Sequence, residues 1–588
     1  MKEFFKFMFA SILGFFISIV LVGVVIFAIA AVALSSMDSD KRVDVGKNSV
    51  LYLNLDQAIT ERTPKNPFDG LPILGSEGKG GIGLGDFIKA VERAKTDDNV
   101  KCIYLNVSSP NAGMATLREV RNALIDFKKS GKKILAYSEV YSQGAYYLAS
   151  VADKVYLNPE GDLEFKGFNS QLTFFKGTLE KLGIEAQVIR VGNYKSAVEP
   201  FILDKMSDYN RKQVTAYLNG LYNTFLGDIS ASRNVQRDSL YNIADKFKIR
   251  APQDAVNYKL VDGLAYKDQV LEELKKLSGR TKKESIKTVT INDYAKNNSS
   301  KGSDKDKVAV IYANGDIVGG EGSDEQIGSE RISRAIRKAR LDDDIKAVVL
   351  RVNSPGGSAL ASDVIWREIV LTKKEKPVIA SFGDVAASGG YYIACAADSI
   401  FVQPNTITGS IGVFGIIPNF QNLLTNKLGV TFDGVKTGEY ADIMSVNRPM
   451  TAGEHFIIQS QLNRVYAGFV KRVADGRKKS TGYIDSIGGG HVWIGTDAVQ
   501  IGLADRLGSF NDAIAAAAKK ANLKDYKVVE YPEVIDPIKS FISEGKDRIK
   551  TYYTKQELGE NYTMYKEMKK VLGMTGIQAR MPFAVEIK

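Results

Sequence analysis

Asp384-Val-Ala-Ala-Ser-Gly-Gly-Tyr-Tyr-Ile-Ala-Cys-Ala-Ala397 is the stretch on which the reading of this chain turns. An apolar run, Pro377-Val-Ile-Ala-Ser-Phe382, leads into it and reads as a strand. The small and apolar residues after Ser388 read as a helix, so Ser388 sits at a strand-to-helix turn with Gly389 and Gly390 behind it. Such a turn lifts a hydroxyl clear of a sheet and leaves backbone N–H groups free at a helix N-terminus, as a nucleophilic serine requires. The same residues also describe a small-residue helix packed tightly on a sheet. The stretch alone leaves both readings open.

Working outward, the chain repeats itself. Residues 87–110 read FIKAVERAKTDDNVKCIYLNVSSP, and residues 332–355 read ISRAIRKARLDDDIKAVVLRVNSP. Each is a helix, an acidic turn, an apolar strand and Ser-Pro, and the offset is 355 minus 110, or 245. The same offset carries Glu139-Val-Tyr-Ser-Gln-Gly-Ala-Tyr-Tyr147 onto Asp384-Val-Ala-Ala-Ser-Gly-Gly-Tyr-Tyr392. Further on, Asp254-Ala-Val-Asn-Tyr-Lys-Leu-Val-Asp262 resembles Asp497-Ala-Val-Gln-Ile-Gly-Leu-Ala-Asp505. Ordered similarity at three sites implies two homologous α/β domains with largely parallel sheets and right-handed crossovers.

The flanking segments complete the layout. No charged residue stands between Phe7 and Met37, a run longer than the roughly 20 apolar residues a bilayer needs. Residues 1–37 are therefore expected to be a cytoplasmic tip and a single transmembrane helix, with the large body translocated. Ala31-Val-Ala33 also fits a signal-peptide cleavage site. The first repeat is expected over residues 38–278 and the second over 308–525. Between them, 279–307 is polar and charged and reads as an exposed linker. The first repeat carries a Pro/Gly-rich insertion at 63–85, read as a loop. Residues 526–588 form a C-terminal extension with amphipathic character over 549–571 and no readable role.

Composition excludes several classes. The net charge of +11 (79 minus 68) is spread along 588 residues with no dense basic block, which argues against nucleic acid and suits an anionic membrane surface. Cys102 and Cys395 lie in apolar runs and make neither a disulfide framework nor a zinc site. No metal or cofactor motif is present: Gly81-Ile-Gly-Leu-Gly85 lacks the Lys-Ser/Thr of a phosphate-binding loop. His455 and His491 are the only histidines, so any histidine base must be one of them. His455 lies in a helical stretch, and His491 follows a Gly-Gly-Gly run.

The repeats differ where chemistry would occur. Ser388 corresponds to Gln143, and Gly356 and Gly357 correspond to Asn111 and Ala112. Gly192-Asn-Tyr-Lys-Ser-Ala-Val-Glu-Pro-Phe201 matches Gly438-Glu-Tyr-Ala-Asp442, so Lys195 aligns with Ala441. One repeat has kept a serine and the other a lysine, the pattern left by duplication and complementary loss.

With these motifs the chain resembles the long, two-repeat bacterial signal peptide peptidase A (protease IV) family of membrane-anchored serine proteases. The resemblance rests on Tyr194-Lys-Ser-Ala-Val-Glu-Pro-Phe201 together with Ala387-Ser-Gly-Gly-Tyr391, and covers nearly the whole chain except the extension. It implies Clp protease/crotonase-like repeats and a Ser/Lys dyad, with Ser388 as nucleophile and Lys195 as general base. It further implies a bowl-like homo-oligomer, a tetramer, on the outer (periplasmic) side of the bacterial plasma membrane, acting on remnants of signal peptides.

A lysine can take the serine proton only when neutral, and a free amine titrates near 10.4. Desolvation between two domains would lower it. The backbone N–H groups of Gly357 and Gly389 are candidate donors to the oxyanion. Apolar substrates need an apolar groove, for which Ile411-Gly-Val-Phe-Gly-Ile-Ile417 is available, although it also reads as a buried strand. A crotonase-like acyl-CoA enzyme and a catalytically silent membrane scaffold are the alternatives.

Overall fold

The computed structural model describes residues 2–37, 43–64, 81–297, 305–534 and 576–581, with isolated positions at 554, 557, 559 and 562. Lys2–Met37 is one helix. Its Glu3–Val24 portion, with mean hydropathy 2.6 and none of it buried, is long and apolar enough to cross a membrane.

The strands Ile345–Ser354 and Val378–Ala387 are apolar and buried almost throughout, which suits strands covered on both faces. They form the centre of a sheet ordered Val492–Ile494, Ile407–Gly409, Val378–Ala387, Ile345–Ser354, Lys307–Asn314, Lys527–Tyr531. Only the outermost pairing, between Ile407–Gly409 and Val492–Ile494, is antiparallel. The first repeat builds an all-parallel sheet: Gly263–Leu264, Lys154–Leu163, Lys133–Tyr141, Val100–Leu105, Ser49–Leu53, Thr288–Thr290.

The duplication is visible element by element. The helix Leu84–Thr96 recurs as Ser329–Leu341, and Met114–Lys128 recurs as Ala359–Lys373, each 245 residues on. The long helices Asp208–Arg233 and Ala452–Arg477 stand 244 residues apart (452 minus 208) and have 26 residues each. The chain is thus two α/β repeats behind one apolar helix.

Two expected boundaries move. Within the supposed linker 279–307, Thr288–Thr290 pairs with Ser49–Leu53 and Tyr294 is fully buried, so this part belongs to the first repeat. Its polar composition hid a short edge strand with one buried side chain. The extension 526–588 is likewise not separate. Lys527–Tyr531 closes the second sheet beside Lys307–Asn314, and Gln578–Arg580 enters a third sheet. The amphipathic segment 549–571 lies outside the described residues apart from isolated positions, as do residues 65–80 of the insertion; its end, Ile82–Gly83, pairs with Ile59–Thr60.

Three features clamp the repeats together. The third sheet, ordered Gln326–Gly328, Asp316–Val318, Gly356–Ser358, Gln578–Arg580, Phe414–Asn419, Glu185–Arg190, takes its last strand from the first repeat. Buried Arg351 of the second repeat reaches Glu61 (2.7 Å) and Glu119 (3.0 Å) of the first. Burial works against its charge, but the two carboxylates outweigh it and hold the guanidinium above its ordinary value. Asp384 accepts hydrogen bonds from Ala115 N (2.8 Å), Thr116 N (2.9 Å) and Thr116 Oγ1 (2.6 Å), capping the Met114–Lys128 helix of the other repeat.

Candidate active site

Ser388 ends the Val378–Ala387 strand and begins the helix Gly389–Ala394. Its backbone has φ 56° and ψ −115°, a conformation a non-glycine residue adopts only when its surroundings impose it. Here Ser388 N donates to Gly409 O (2.8 Å) and Ser388 O accepts from Tyr392 N (2.8 Å), which fixes the turn.

Lys195 arrives from the first repeat. The strand Glu185–Arg190 pairs antiparallel with Phe414–Asn419 over six residue pairs, and the chain then turns to bring Lys195 back over the serine. The turn rests on glycines: Tyr194 N donates to Gly489 O (3.1 Å), and a methyl on Gly490 would lie 2.5 Å from Lys195 N. The Gly-Gly-Gly run before His491 is thus the backing of the lysine loop.

Lys195 Nζ lies 2.8 Å from Ser388 Oγ, 3.1 Å from Ser410 O and 3.1 Å from Ser410 Oγ. Both Lys195 and Ser388 are 0% exposed, and burial alone pushes the amine well below its ordinary value. A neutral amine has two N–H groups and one lone pair. The two acceptors of Ser410 take the N–H groups, which leaves the lone pair facing the Ser388 hydroxyl. A neutral amine so placed can accept the serine proton once the hydroxyl turns to it from Gly412 O, 3.4 Å from Ser388 Oγ. The two residues meet within one chain.

His491 does not take part in this arrangement. Its ring lies between Tyr194 (4.3 Å between centroids) and Trp493 (4.1 Å), and burial lowers its pKa to about 4. Neither His491 nor His455 hydrogen-bonds to Ser388.

The two glycine candidates flank a carbonyl. Gln578–Arg580 runs antiparallel to Gly356–Ser358, with Gly357 opposite Ala579. Met581 N donates to Pro355 O (2.7 Å) and Ala359 N to Ile577 O (3.2 Å), so by alternation Gly357 and Ala579 are a hydrogen-bonded pair. A methyl on Gly356 would meet Ala579 O at 2.1 Å and Gly389 N at 2.8 Å. The Ala579 carbonyl thus pairs with Gly357 and lies close to Gly389, where an added methyl would meet Ala579 O at 3.0 Å. On its far side the tail strand meets Phe414–Asn419, so it fills a slot one strand wide beside the serine. Of the run 411–417, residues 414–417 open the strand Phe414–Asn419, which borders the tail strand.

Sequence reasoning missed Ser410, the role of the glycines at 488–490 and the tail strand. Ser410 had one signal in the sequence, a lone polar residue between Gly409 and an apolar run; its positive φ (50°) shows only in the fold.

The fold and these comparisons define a serine peptidase. The chain belongs to Peptidase family S49, whose sequence profile matches it twice, at residues 126–281 and 371–524. It is similar to Protease 4 of Salmonella typhi, 39% identical over 469 residues (77% of this chain, 75% of that one). Protease 4 of Haemophilus influenzae is 34% identical over 528 residues, covering 87% and 85%. The chloroplastic serine protease SPPA of Arabidopsis thaliana is 31% identical over 550 residues, covering 91% and 78%. A solved ClpP1 of Listeria monocytogenes matches 35% of the chain and 94% of its own, at 16% identity and TM-score 0.24. Family membership sets aside the acyl-CoA and scaffold alternatives.

Proposed function

We propose that the chain is a membrane-anchored endopeptidase in which Ser388 is the nucleophile and Lys195 the general base. It would degrade signal-peptide remnants and other apolar peptides at the outer face of the bacterial plasma membrane, as a homo-oligomer. The observation that carries this reading is the 2.8 Å contact of Lys195 Nζ and Ser388 Oγ, both fully buried. The slot beside them supports a peptide substrate, because it already accepts an extended backbone by strand addition. Ala579 lies in it among Ile189, Ala359 and Val413, an environment suited to small apolar side chains at the reacting residue.

The steps follow. Lys195 takes the hydroxyl proton as Ser388 Oγ bonds to the peptide carbonyl carbon. The N–H groups of Gly357 and Gly389 stabilise the oxyanion. The C–N bond breaks, the Lys195 ammonium returns its proton to the leaving amine, and an acyl-serine remains. Lys195 then deprotonates water, which releases the acid and restores Ser388. The apolar N-terminal helix supports delivery of the site to a membrane.

The test is hydrolysis of a fluorogenic apolar peptide by the full chain in detergent, beside Ser388→Ala and Lys195→Ala. Both variants are expected at background with unchanged folding. Substantial activity in Lys195→Ala would move the base elsewhere.

A further inference from the structure

The tail strand lies in the slot with the polarity of a peptide presented to Ser388. The Ala579 carbonyl pairs with Gly357 and lies close to Gly389, the two glycines whose N–H groups would take the oxyanion. On the upstream side Ile577 O accepts from Ala359 N (3.2 Å), and on the downstream side Met581 N donates to Pro355 O (2.7 Å). Ala579 therefore occupies the place of the residue whose carbonyl is attacked, and Arg580 and Met581 occupy the place of the leaving part. Both downstream residues are held. Met581 is 3% exposed. The Arg580 guanidinium pairs with Asp316 at 2.6 Å, and the two side chains are only 11% and 26% exposed.

Asp316 has no counterpart in the other repeat. Ile317 pairs with Ile327 and Val318 with Gly328, as Ile59 pairs with Ile82 and Thr60 with Gly83. Ile82 and Ile327 are 245 residues apart, the offset of the duplication. Ile317 is thus the equivalent of Ile59, and Asp316 the equivalent of Ala58. A methyl group serves the strand in the repeat that lacks the serine, so the strand itself does not require a carboxylate. The carboxylate stands only in the repeat that carries Ser388, beside the slot that runs past it.

We propose that Asp316 forms a substrate subsite, which selects a basic residue directly after the residue whose carbonyl meets Gly357 and Gly389. The proposal rests on the peptidase reading and on those two glycines as the oxyanion donors. Together with the apolar surroundings of Ala579, it narrows the substrates to peptides in which a small apolar residue precedes an arginine or lysine. The leaving amine is then the α-amino group of the basic residue. A charge-assisted pair that is partly shielded from water discriminates strongly, because an acidic residue at the same place would set two carboxylates against each other.

The test uses internally quenched peptides Ile-Gln-Ala-Xaa-Met, with Arg, Ala or Glu at Xaa, and the full chain in detergent. Ratios of kcat/KM are read within one protein, so folding and competition from the tail strand cancel. The unmodified chain is expected to favour Arg over Ala by about tenfold or more, and to cut the Glu peptide slowest, each at the Ala–Xaa bond. Asp316→Asn should bring the three peptides together, and Asp316→Arg should put Glu first. Equal rates for Arg and Glu in the unmodified chain, or an Arg preference that survives Asp316→Asn, overturns the proposal and leaves Asp316 as an anchor of the tail alone. Ser388→Ala, which should bind without cutting, reads the same order as Kd for fluorescently labelled peptides. A lower Kd for Arg than for Glu, with no hydrolysis by the unmodified chain, would sink the peptidase reading and support the subsite; equal Kd values overturn the subsite.

Discussion

Lys195 Nζ stands 2.8 Å from Ser388 Oγ although 193 residues of chain separate them and each belongs to a different repeat. The pair exists only because an arm of one repeat is sewn into a sheet of the other. Its properties can be tested one at a time.

Burial holds the Lys195 amine well below its ordinary value. The unfolded chain keeps that proton up to about pH 10.4, while the folded chain loses it at lower pH. Between those limits the unfolded state binds more protons, so stability rises with pH and the lysine is destabilising near neutrality. Lys195→Met is expected to abolish hydrolysis yet raise the thermal midpoint at pH 7, with the gain shrinking toward pH 10. A lowered midpoint at pH 7 would argue against a neutral buried amine.

Ser410 accepts from the amine through both its carbonyl and its hydroxyl. Ser410→Ala removes the hydroxyl, which matters most when Lys195 is an ammonium. A hydrogen bond to a charged group is worth about 1.5–3 kcal/mol, so kcat should fall roughly 10- to 150-fold with KM little changed. The acid limb of the pH–rate profile should also move to lower pH, since the ammonium has lost a partner. A fall in kcat with the limb unmoved would reduce Ser410 to packing.

The tail strand and an extended peptide cannot share one slot. A segment tethered in cis competes at an effective concentration in the millimolar range. Ala579 is buried among apolar side chains, so Ala579→Asp should expel the strand without touching Lys195 or Ser388. KM for a short apolar peptide is then expected to fall, by about tenfold or more for a substrate that binds weakly. Identical Michaelis curves for the two proteins would mean the slot is empty in solution.

Arg351→Met leaves Glu61 and Glu119 buried without their cation. Removing one partner of a buried ionic cluster costs about 3–5 kcal/mol. Chemical denaturation should show that loss, and hydrolysis should decline with it because the two halves of the site lose their dock. A variant as stable as the parent would mean one of the carboxylates is already protonated; burial does raise the Glu119 pKa.

The sequence made the architecture and the candidates Ser388 and Lys195 legible for one reason: duplication supplied an internal comparison. Ser388 stood out against Gln143, and Lys195 against Ala441, at positions where the surrounding residues matched. Ser410 had no such contrast, because its role depends on a turn that only the folded sheet imposes. Thr288–Thr290 and Gln578–Arg580 were illegible for another reason. A strand of three residues has too little periodicity to announce itself, and both acquire their meaning from neighbours hundreds of positions away. Asp384 was visible in the opening stretch, but that it caps a helix of the other repeat could not be read along the chain.

Consider finally the order in which the chain is made. The repeat that carries Lys195 is synthesised and folds before the one that carries Ser388 has emerged. The strand Phe414–Asn419, which receives the lysine's arm, comes later still than the serine. A half-made molecule therefore has Lys195 without Ser388, or Ser388 before the strand that receives the lysine's arm exists. On the roles proposed for these two residues, dividing them across the sewn joint keeps the site unassembled until both repeats have been made.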